Sequence, residues 1–328
     1  MNQTSSITLE GIEKPVSKLA LGTAFFRLES RDAWFNILDC FCRERGTVVD
    51  TGRIYGESEQ VIGSWLESRR ARDQVILITK GGHGTGHGLS AEDFLAVIKR
   101  ELTTSLETLG TEYVDLYMLH RDSPTVPVAT IMDCLNRELD RGSIRALGAS
   151  NWEYPRIDEA NEYAQKHGLR GFSAVSNNLS LAVPTGPFYP GLVSVDRDGE
   201  RWHGQTGIPL IPWSSQARGF FTGQFTREMR AMAHEIQDGF VARMVEVYGT
   251  DDNFERLRRA ADLGKKMGGF SATQIALSCL LHKSFPVIPI VGPRTGEELT
   301  SCLQAASLVM TRRETEWLRL ENENHMGH

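Results

Sequence analysis

Short apolar runs alternate with longer amphipathic segments along most of the chain, and this pattern predicts alternating strands and helices. Each apolar run is short enough for a buried strand, and several of the runs end on a polar or ionisable residue. The eight predicted strands cover residues 18–21, 47–50, 75–79, 114–119, 146–150, 172–178, 209–213 and 287–292.

Start signals for helices lie between and after these strands. Ser90 precedes an apolar stripe with helical spacing that runs from Phe94 to Leu109, which predicts an N-cap and a long amphipathic helix. Ser271 and Thr311 are each followed three residues later by Gln or Glu, the pattern of a capping box. Further helices are expected near 254–263 and 297–306.

Eight strands alternating with helices predict an α/β fold of the (β/α)8 TIM barrel type, with residues 1–328 as a single domain. A doubly wound sheet is the alternative, but it would favour a glycine-rich turn after the first strand, which the sequence lacks. Short β-like runs around Gly11 predict an N-terminal β-hairpin that covers the barrel floor. Residues 182–207 and 221–252 lack helical periodicity and are expected to form long βα loops.

Composition narrows the function classes. Charged residues make up 24% and hydrophobic residues 40% of the chain, as in globular enzymes. The net charge is −6 and no basic stripe is present, so a nucleic-acid partner is not expected. The five cysteines are scattered, which argues against a disulfide framework and against a zinc ribbon. No apolar run approaches a membrane span, and the N-terminus lacks a targeting pattern, so a cytoplasmic protein is expected.

Polar side chains at the ends of three predicted strands, with one tyrosine just beyond, suggest a shared site. Asp50, Lys80 and His120 end strands two, three and four, and Tyr55 follows the first of these. The carboxyl ends of barrel strands face the active site, so these side chains should meet at one mouth. An ammonium beside a tyrosine lowers the pKa of the hydroxyl, which is ordinarily ~10, and so prepares it for proton transfer. We expect Asp50 to hold Lys80, and His120 to orient a substrate oxygen.

The segments that carry these residues resemble the aldo-keto reductases. Asp50-Thr-Gly-Arg-Ile-Tyr55-Gly-Glu-Ser58-Glu59 is similar to the family's Asp-Thr-Ala-x-x-Tyr-Gly-x-Ser-Glu signature, with Gly52 in place of alanine. Segments 78–80, 115–120 and 144–151 resemble the family's lysine, histidine and serine-asparagine strands, in the family's order.

The resemblance implies an NAD(P)H-dependent oxidoreductase that reduces a carbonyl to an alcohol, with Tyr55 as general acid. NADP(H) is favoured through Arg294, and NAD(H) is the alternative. Trp213 would lie under the nicotinamide ring, and Ser150 and Asn151 would hold the nicotinamide carboxamide. The loop that follows Trp213, residues 214–223, would cover the pyrophosphate. The residues implied for the cofactor are Gly22, Thr23, Asp50, Ser150, Asn151, Trp213, Ser214, Ser215, Gln216, Arg218, Gly219, Gly292 and Arg294.

The sequence departs from the family pattern in three places, two of which concern the cofactor site. Ala174 aligns with the family's glutamine on strand six, for which Ser176 or Asn178 could substitute. Ser301 and Cys302 replace the family's adenine-contacting pair, and acidic Glu298 falls near the expected phosphate. Gly52 adds backbone freedom to the loop that positions Tyr55.

The substrate pocket is expected to combine aromatic faces with guanidinium donors, which suits a hydroxylated, sugar-derived carbonyl or a small anionic one. The residues expected around it are Phe25, Phe26, Arg53, Tyr55, His120, Arg121 and Trp152. Arg53 and Arg121 could instead form structural ion pairs with Asp122 or other acids.

Two other functions stay open at this point: a metal-dependent barrel hydrolase using His83, His87 and His120, and a non-catalytic regulatory subunit that binds a nicotinamide cofactor. The sequence leaves the oligomeric state open.

Overall fold

The protein is described by a computed structural model, which covers residues 7–85 and 90–322. Within these ranges seven strands form one parallel, curled sheet with the order β6-β5-β4-β3-β2-β1-β7. The strands are β1 (Ala20–Gly22), β2 (Val48–Asp50), β3 (Ile76–Gly81), β4 (Val114–Leu119), β5 (Ile144–Ser150), β6 (Phe172–Ser176) and β7 (Ile290–Val291).

Helices connect and follow the strands. They are α1 (Arg31–Arg43), α2 (Ser58–Arg69), α3 (Ala91–Leu109), α4 (Val128–Asp140), α5 (Tyr154–Lys166), α6 (Arg197–Thr206), α7 (Arg227–Ala231), α8 (Gly239–Tyr248), α9 (Asp251–Lys266), α10 (Ala272–Leu281), α11 (Gly296–Ala305) and α12 (Arg312–Leu318). Short 3-10 turns lie at Leu28–Ser30, Arg72–Gln74, His83–Thr85, Ala217–Thr222 and Ala233–Glu235.

The predicted caps are confirmed. The Ser90 side chain accepts from the backbone N–H of Asp93 at the start of α3, and complete capping boxes begin α10 at Ser271 and α12 at Thr311. These caps satisfy backbone donors that the first helical turn leaves unpaired.

The predicted strand at 209–213 forms isolated bridges instead of a regular strand. Leu210 bridges in parallel to Val175 of β6 and to Val287 before β7, so backbone hydrogen bonds link the two edges of the sheet. Pro209 and Pro212 have no N–H to donate, and Pro286 and Pro289 interrupt the opposite segment in the same way. The proline spacing explains why the ladder here is too short to count as an eighth strand.

The predicted N-terminal hairpin is reduced to one antiparallel bridge between Leu9 and Ile12. Leu9 nevertheless packs against the inward side chains of the strands, such as Val48 and Ile76, and is only 1% exposed. The turn therefore covers one end of the sheet interior, although residues 7–16 form no two-stranded hairpin.

The prediction that residues 182–207 form only a loop is wrong, because α6 occupies its second half. The Asp196 side chain caps this helix by accepting from the N–H of Gly199. Its sequence is so polar that only Gly199 and His203 are buried, which leaves no apolar stripe to detect. The segment 221–252 likewise contains the short helices α7 and α8.

Candidate active site

The strand ends bring the predicted residues onto the inner face of the sheet. The interior cluster contains Val48, Ile78 and Met118. Because side chains alternate in a strand, Asp50, Lys80 and His120 lie on the same face two positions further on. The apolar interior thus changes to a polar group at the carboxyl end of these strands, where the three side chains meet.

Asp50 and Lys80 form a buried ion pair. The Lys80 ammonium donates to the Asp50 carboxylate and, at 2.9 Å, to the Thr51 carbonyl. The two residues are only 3% and 2% exposed. Burial acts to lower the pKa of Lys80, but the Asp50 carboxylate more than reverses this, so the pKa of Lys80 is raised and the ammonium stays charged.

The loop that carries Tyr55 is fixed by short-range hydrogen bonds. The N–H of Tyr55 donates to the Gly52 carbonyl at 2.9 Å, and the N–H of Arg53 donates to the Lys80 carbonyl at 2.9 Å. A buried hydroxyl cluster supports it, in which Ser58 lies 2.6 Å from Thr23 and 2.8 Å from Thr51.

Gly52 is not required by space. A Cβ there would lie 3.4 Å from the Tyr55 ring, an ordinary contact, so the family's alanine would fit.

Tyr55 lies between the cation and the imidazole. The Lys80 Nζ is 5.3 Å from the centroid of the Tyr55 ring, and the His120 ring meets it edge-on at 5.7 Å. Burial raises the pKa of the Tyr55 hydroxyl, and the Lys80 charge acts against that rise without reversing it. The expected net lowering of this pKa is therefore not found. A hydroxyl with a raised pKa is protonated at neutral pH, which suits a proton donor.

His120 is a neutral imidazole with a free nitrogen. Burial and then the Lys80 charge hold the pKa of His120 well below its usual value. Its Nδ1 is buried and unpaired among the described residues, and its ring meets that of His83 edge-on at 5.0 Å. His83, which was expected only as a metal ligand, therefore lies beside the site; His87 lies outside the described residues.

The predicted carboxamide-binding pair is already engaged within the protein. Ser150 donates to the Ser176 carbonyl at 2.8 Å, and the Asn151 amide donates to the His120 carbonyl and to Ser150. Asn178, considered as a substitute for the missing glutamine, donates to the Trp213 carbonyl at 3.0 Å. Ser176 is different, because its hydroxyl is buried on the inner face and has no partner in residues 7–85 and 90–322. It can bond to a polar group placed against it.

The segment after Trp213 has an unusual backbone. Ser214, Ala217 and Arg218 have φ values of 51°, 48° and 53°, and Gly219 follows with φ 90°. A non-glycine residue adopts a left-handed conformation only at a cost of roughly 1–3 kcal/mol. Such residues persist where the surrounding structure enforces them, and they cluster at functional sites. Ser215 donates to the Ile290 carbonyl and the Gln216 amide contacts the Cys302 sulfur, which fixes this turn to the neighbouring strand and helix.

The other predicted cofactor residues lie around β1 and the start of α11. Gly22 packs so closely that a Cβ would lie 2.6 Å from the Ile290 side chain, whereas a Cβ at Gly292 would meet only Phe25, at 3.8 Å. The Arg294 guanidinium lies 4.4 Å from the Phe25 ring centroid. A surface cavity of about 690 Å³ adjoins it, lined by Thr295, Gly296, Glu297, Thr300, Ser301 and Gln304.

Acidic side chains lie beside Arg294. The N–H of Arg294 donates to the Glu298 carboxylate at 2.6 Å, and Glu297 lines the cavity. These carboxylates oppose the binding of a phosphate at this helix start, whereas the Arg294 guanidinium and the helix dipole favour it.

The predicted substrate residues separate into exposed and buried ones. Phe25 is 49% exposed at the mouth. Trp152 is completely buried in the main core against Phe172, so its place in the substrate pocket is corrected. Phe26 is also buried, stacked on Trp34 at 4.6 Å. Both predictions failed because a large apolar side chain suits a core as well as a pocket.

The predicted arginines also separate. Arg53 pairs with the buried Glu59 carboxylate and is structural. Asp122 pairs with Arg156, not with Arg121. Arg121 donates to the Gly191 carbonyl, and burial lowers its pKa. Arg218, which was expected only as a cofactor residue, has its guanidinium 4.2 Å from the Phe188 ring centroid in the 182–207 segment.

The comparisons identify the class. The profile of the Aldo/keto reductase family matches residues 18–319, so the chain belongs to this family and is an oxidoreductase. Norsolorinic acid reductase B of Dothistroma septosporum is 28% identical over 298 residues, which are 88% of this chain and 71% of that protein. A probable aryl-alcohol dehydrogenase of Saccharomyces cerevisiae is 28% identical over 308 residues, 88% of this chain and 87% of that protein.

Solved structures support the fold. An aldo/keto reductase from Klebsiella pneumoniae, crystallised with NADP and acetate, superimposes with a TM-score of 0.70 at 19% identity and covers 96% of this chain and 94% of that one.

No helix in the part of the chain that the structure describes is long and apolar enough to cross a membrane. Nor do residues 7–85 and 90–322 contain a cluster of three or more His, Cys, Asp or Glu side chains that could hold a metal ion.

Proposed function

We propose that this protein uses NADPH to reduce an aldehyde or ketone to an alcohol, with Tyr55 as the general acid. The observation that carries the proposal is the convergence of Asp50, Lys80, Tyr55 and His120 at the carboxyl ends of neighbouring strands. The family membership supports it, because aldo-keto reductases act on small carbonyl compounds.

The side chains divide the work by their charge and position. When bound, the reduced nicotinamide would supply the hydride for the carbonyl carbon. Tyr55 gives its hydroxyl proton to the carbonyl oxygen, and the Lys80 ammonium stabilises the phenolate that forms. Asp50 holds Lys80 in place. Neutral His120 can donate a hydrogen bond to the same oxygen without adding a positive charge that would compete for it.

The residues at the mouth fit a nicotinamide cofactor. The Ser176 hydroxyl and the Trp213 indole N–H are buried polar groups without a partner among the described residues, and a carboxamide could satisfy them. Arg294 favours the phosphate of NADP(H), and the Klebsiella neighbour was crystallised with NADP. Because Glu297 and Glu298 oppose a phosphate, NAD(H) stays the alternative.

A nucleotide titration followed by turnover tests this proposal. Intrinsic fluorescence is followed with NADPH and with NADH, and cofactor oxidation is then measured with aldoses, aliphatic aldehydes and aromatic aldehydes. Tyr55→Phe should bind NADPH as wild type does but lose roughly 10²- to 10⁴-fold in kcat.

Tyr163→Phe is the matched control, since that hydroxyl donates to Asp133 on an outer helix. Normal turnover by Tyr55→Phe would refute the mechanism, and a protein that binds NADPH but reduces nothing would have a regulatory role. The aldoses in the panel test the sugar-derived substrate predicted from the sequence. Relatives named for norsolorinic acid and for aryl alcohols support the aromatic compounds.

A further inference from the structure

Two arginines at the mouth have no acidic partner among the described residues. Arg121 follows His120 and donates to a backbone carbonyl, that of Gly191. Arg218 lies in the left-handed turn after Trp213, and its buried Nε has no hydrogen-bond partner in the part of the chain that the structure describes. Most partly buried cations of this protein behave differently; Arg53 and Arg156, for example, pair with carboxylates.

Aromatic rings surround the Arg218 guanidinium. Its central carbon lies 4.2 Å from the Phe188 ring centroid, 5.8 Å from that of Tyr189 and 6.0 Å from that of Trp213. Rings at this distance attract a cation through their faces and exclude water from its sides. Phe188 is 5% exposed and Tyr189 54% exposed, so one ring anchors this wall and the other is available to a ligand.

The two guanidinium groups contact the same short stretch of chain. Arg218 contacts Phe188 and Tyr189, and Arg121 bonds to Gly191, two residues further on. Both charges also act on the Tyr55 hydroxyl, so they lie near the proposed proton donor. A substrate bound at Tyr55 would therefore lie within the electrostatic reach of both cations.

Partial burial of a cation without a counter-ion is unfavourable. Burial lowers the pKa of both Arg121 and Arg218, and no carboxylate in residues 7–85 and 90–322 offsets it. A ligand anion would supply the missing charge and could accept hydrogen bonds from the planar guanidinium groups.

We propose that Arg121, Arg218 and residues 188–191 form an anion clamp that selects aromatic carbonyl substrates bearing a carboxylate. This inference rests on the proposed carbonyl reduction and names its substrate class. It also moves Arg218 from the cofactor pyrophosphate, where the family resemblance placed it, to the substrate.

The test uses pairs of substrates that differ only in charge. The 2-, 3- and 4-formylbenzoates are compared with the corresponding formylbenzamides, in kcat/KM and in calorimetric binding. Wild type should prefer the carboxylate of at least one pair by about tenfold or more, as expected for a charge-assisted hydrogen bond. The preference should weaken with added salt, since partly exposed charges are screened.

Substitutions then assign the preference to the two arginines. Arg218→Met and Arg121→Met should each raise KM for the preferred formylbenzoate and bring the carboxylate-to-amide ratio close to one, whereas Arg218→Lys should keep part of it. Arg243→Met is the control for disorder of the loop. Arg243 also contacts this loop, because it donates to the Phe188 carbonyl at 3.0 Å, but unlike Arg121 and Arg218 it has a carboxylate partner, Glu246. This variant should leave the ratio unchanged.

The outcomes separate this inference from the function on which it rests. Equal binding of carboxylate and amide by wild type, or a preference that survives both methionine variants, would overturn the clamp while leaving carbonyl reduction intact. If no carbonyl is reduced, the proposed function fails, and calorimetry still decides whether the two arginines select a carboxylate. NADPH affinity of each variant shows whether Arg218 contacts the cofactor after all: a loss of affinity with an unchanged ratio would return it to the pyrophosphate.

Discussion

Lys80 carries its charge at a depth where an ammonium is stable only with a partner. At 2% exposure its hydration is lost, and the Asp50 carboxylate and the Thr51 carbonyl replace it. The same pair holds the cation beside Tyr55. Stability and the proposed proton transfer therefore depend on one interaction, and a double substitution can separate them.

Asp50→Asn should be more harmful to the fold than the removal of both charges. It leaves the Lys80 ammonium buried without a counter-charge, which costs about 3–5 kcal/mol in unfolding free energy. Asp50→Asn combined with Lys80→Met should recover much of that loss yet remain inactive, as measured by urea unfolding and cofactor oxidation. Asp262→Asn, which removes an exposed partner of Arg258, should change stability by less than about 1 kcal/mol.

A double variant as unstable as Asp50→Asn alone would show that the carboxylate has a structural role beyond pairing Lys80.

Local sequence predicted the residues of this pair because each follows an apolar run. The predicted ends of β2 and β4 match the structure, whereas β3 continues two residues past its predicted end, to Gly81. Asp50, Lys80 and His120 were still expected on one face, because each ends or directly follows an apolar run. Trp152 and Arg218 were not predictable in this way. The burial of Trp152 depends on packing against Phe172, and the direction of Arg218 depends on left-handed backbone at Ala217 and Arg218.

At the level of elements, α2 is held close to α3 by a glycine. A Cβ at Gly63 would lie 2.5 Å from the Thr108 carbonyl oxygen and 3.0 Å from the Leu109 backbone. The first turn of α2 also carries Ser58 and Glu59, which support the Tyr55 loop. A shift of α2 would therefore reach the proposed active site.

Gly63→Ala should destabilise the protein although alanine favours helices. The gain in helix propensity is about 1 kcal/mol, and the forced separation of two backbones costs about 1–3 kcal/mol. Gly204→Ala in α6 is the matched control, because a Cβ there meets nothing within 4 Å, and it should stabilise by up to about 1 kcal/mol. Denaturant midpoints of the two variants should move in opposite directions; a shift in the same direction would contradict the packing argument.

At the level of the whole molecule, buried neutral histidine links stability to pH. Burial lowers the pKa of His203 to about 4. Its Nδ1 lies 2.7 Å from the Ile208 carbonyl, so this nitrogen donates, and its buried Nε2 has no partner within residues 7–85 and 90–322. Its ring stacks on Phe285 and meets Tyr154 and Trp202, while Glu200 is the charged group that favours its protonation.

Unfolding should become easier as the pH falls from 6.5 to 4. In the unfolded chain a histidine takes up a proton near pH 6.5, whereas folded His203 does so only near pH 4, so acid favours the unfolded state between these values. The difference corresponds to about 3 kcal/mol at most, and above pH 6.5 it contributes no pH dependence. His203→Asn, whose amide can replace the donor to Ile208, should flatten the slope of unfolding free energy against pH in this window.

The slope is the informative quantity here, because the substitution also lowers stability at every pH by removing ring contacts. A slope that is unchanged in His203→Asn would assign the acid sensitivity to other groups, such as His120.

The pairing of β1 with β7 has a consequence for synthesis on the ribosome. Ala20 pairs with Ile290 at one edge of β1. During translation that edge has no partner until nearly the whole chain has been made, and an unpaired strand edge is a template for association with other chains. The synthesis of β7 should therefore set the rate at which the nascent protein escapes aggregation. A chaperone that shields strand edges should raise the yield of folded protein more than slowing the refolding of the finished chain does.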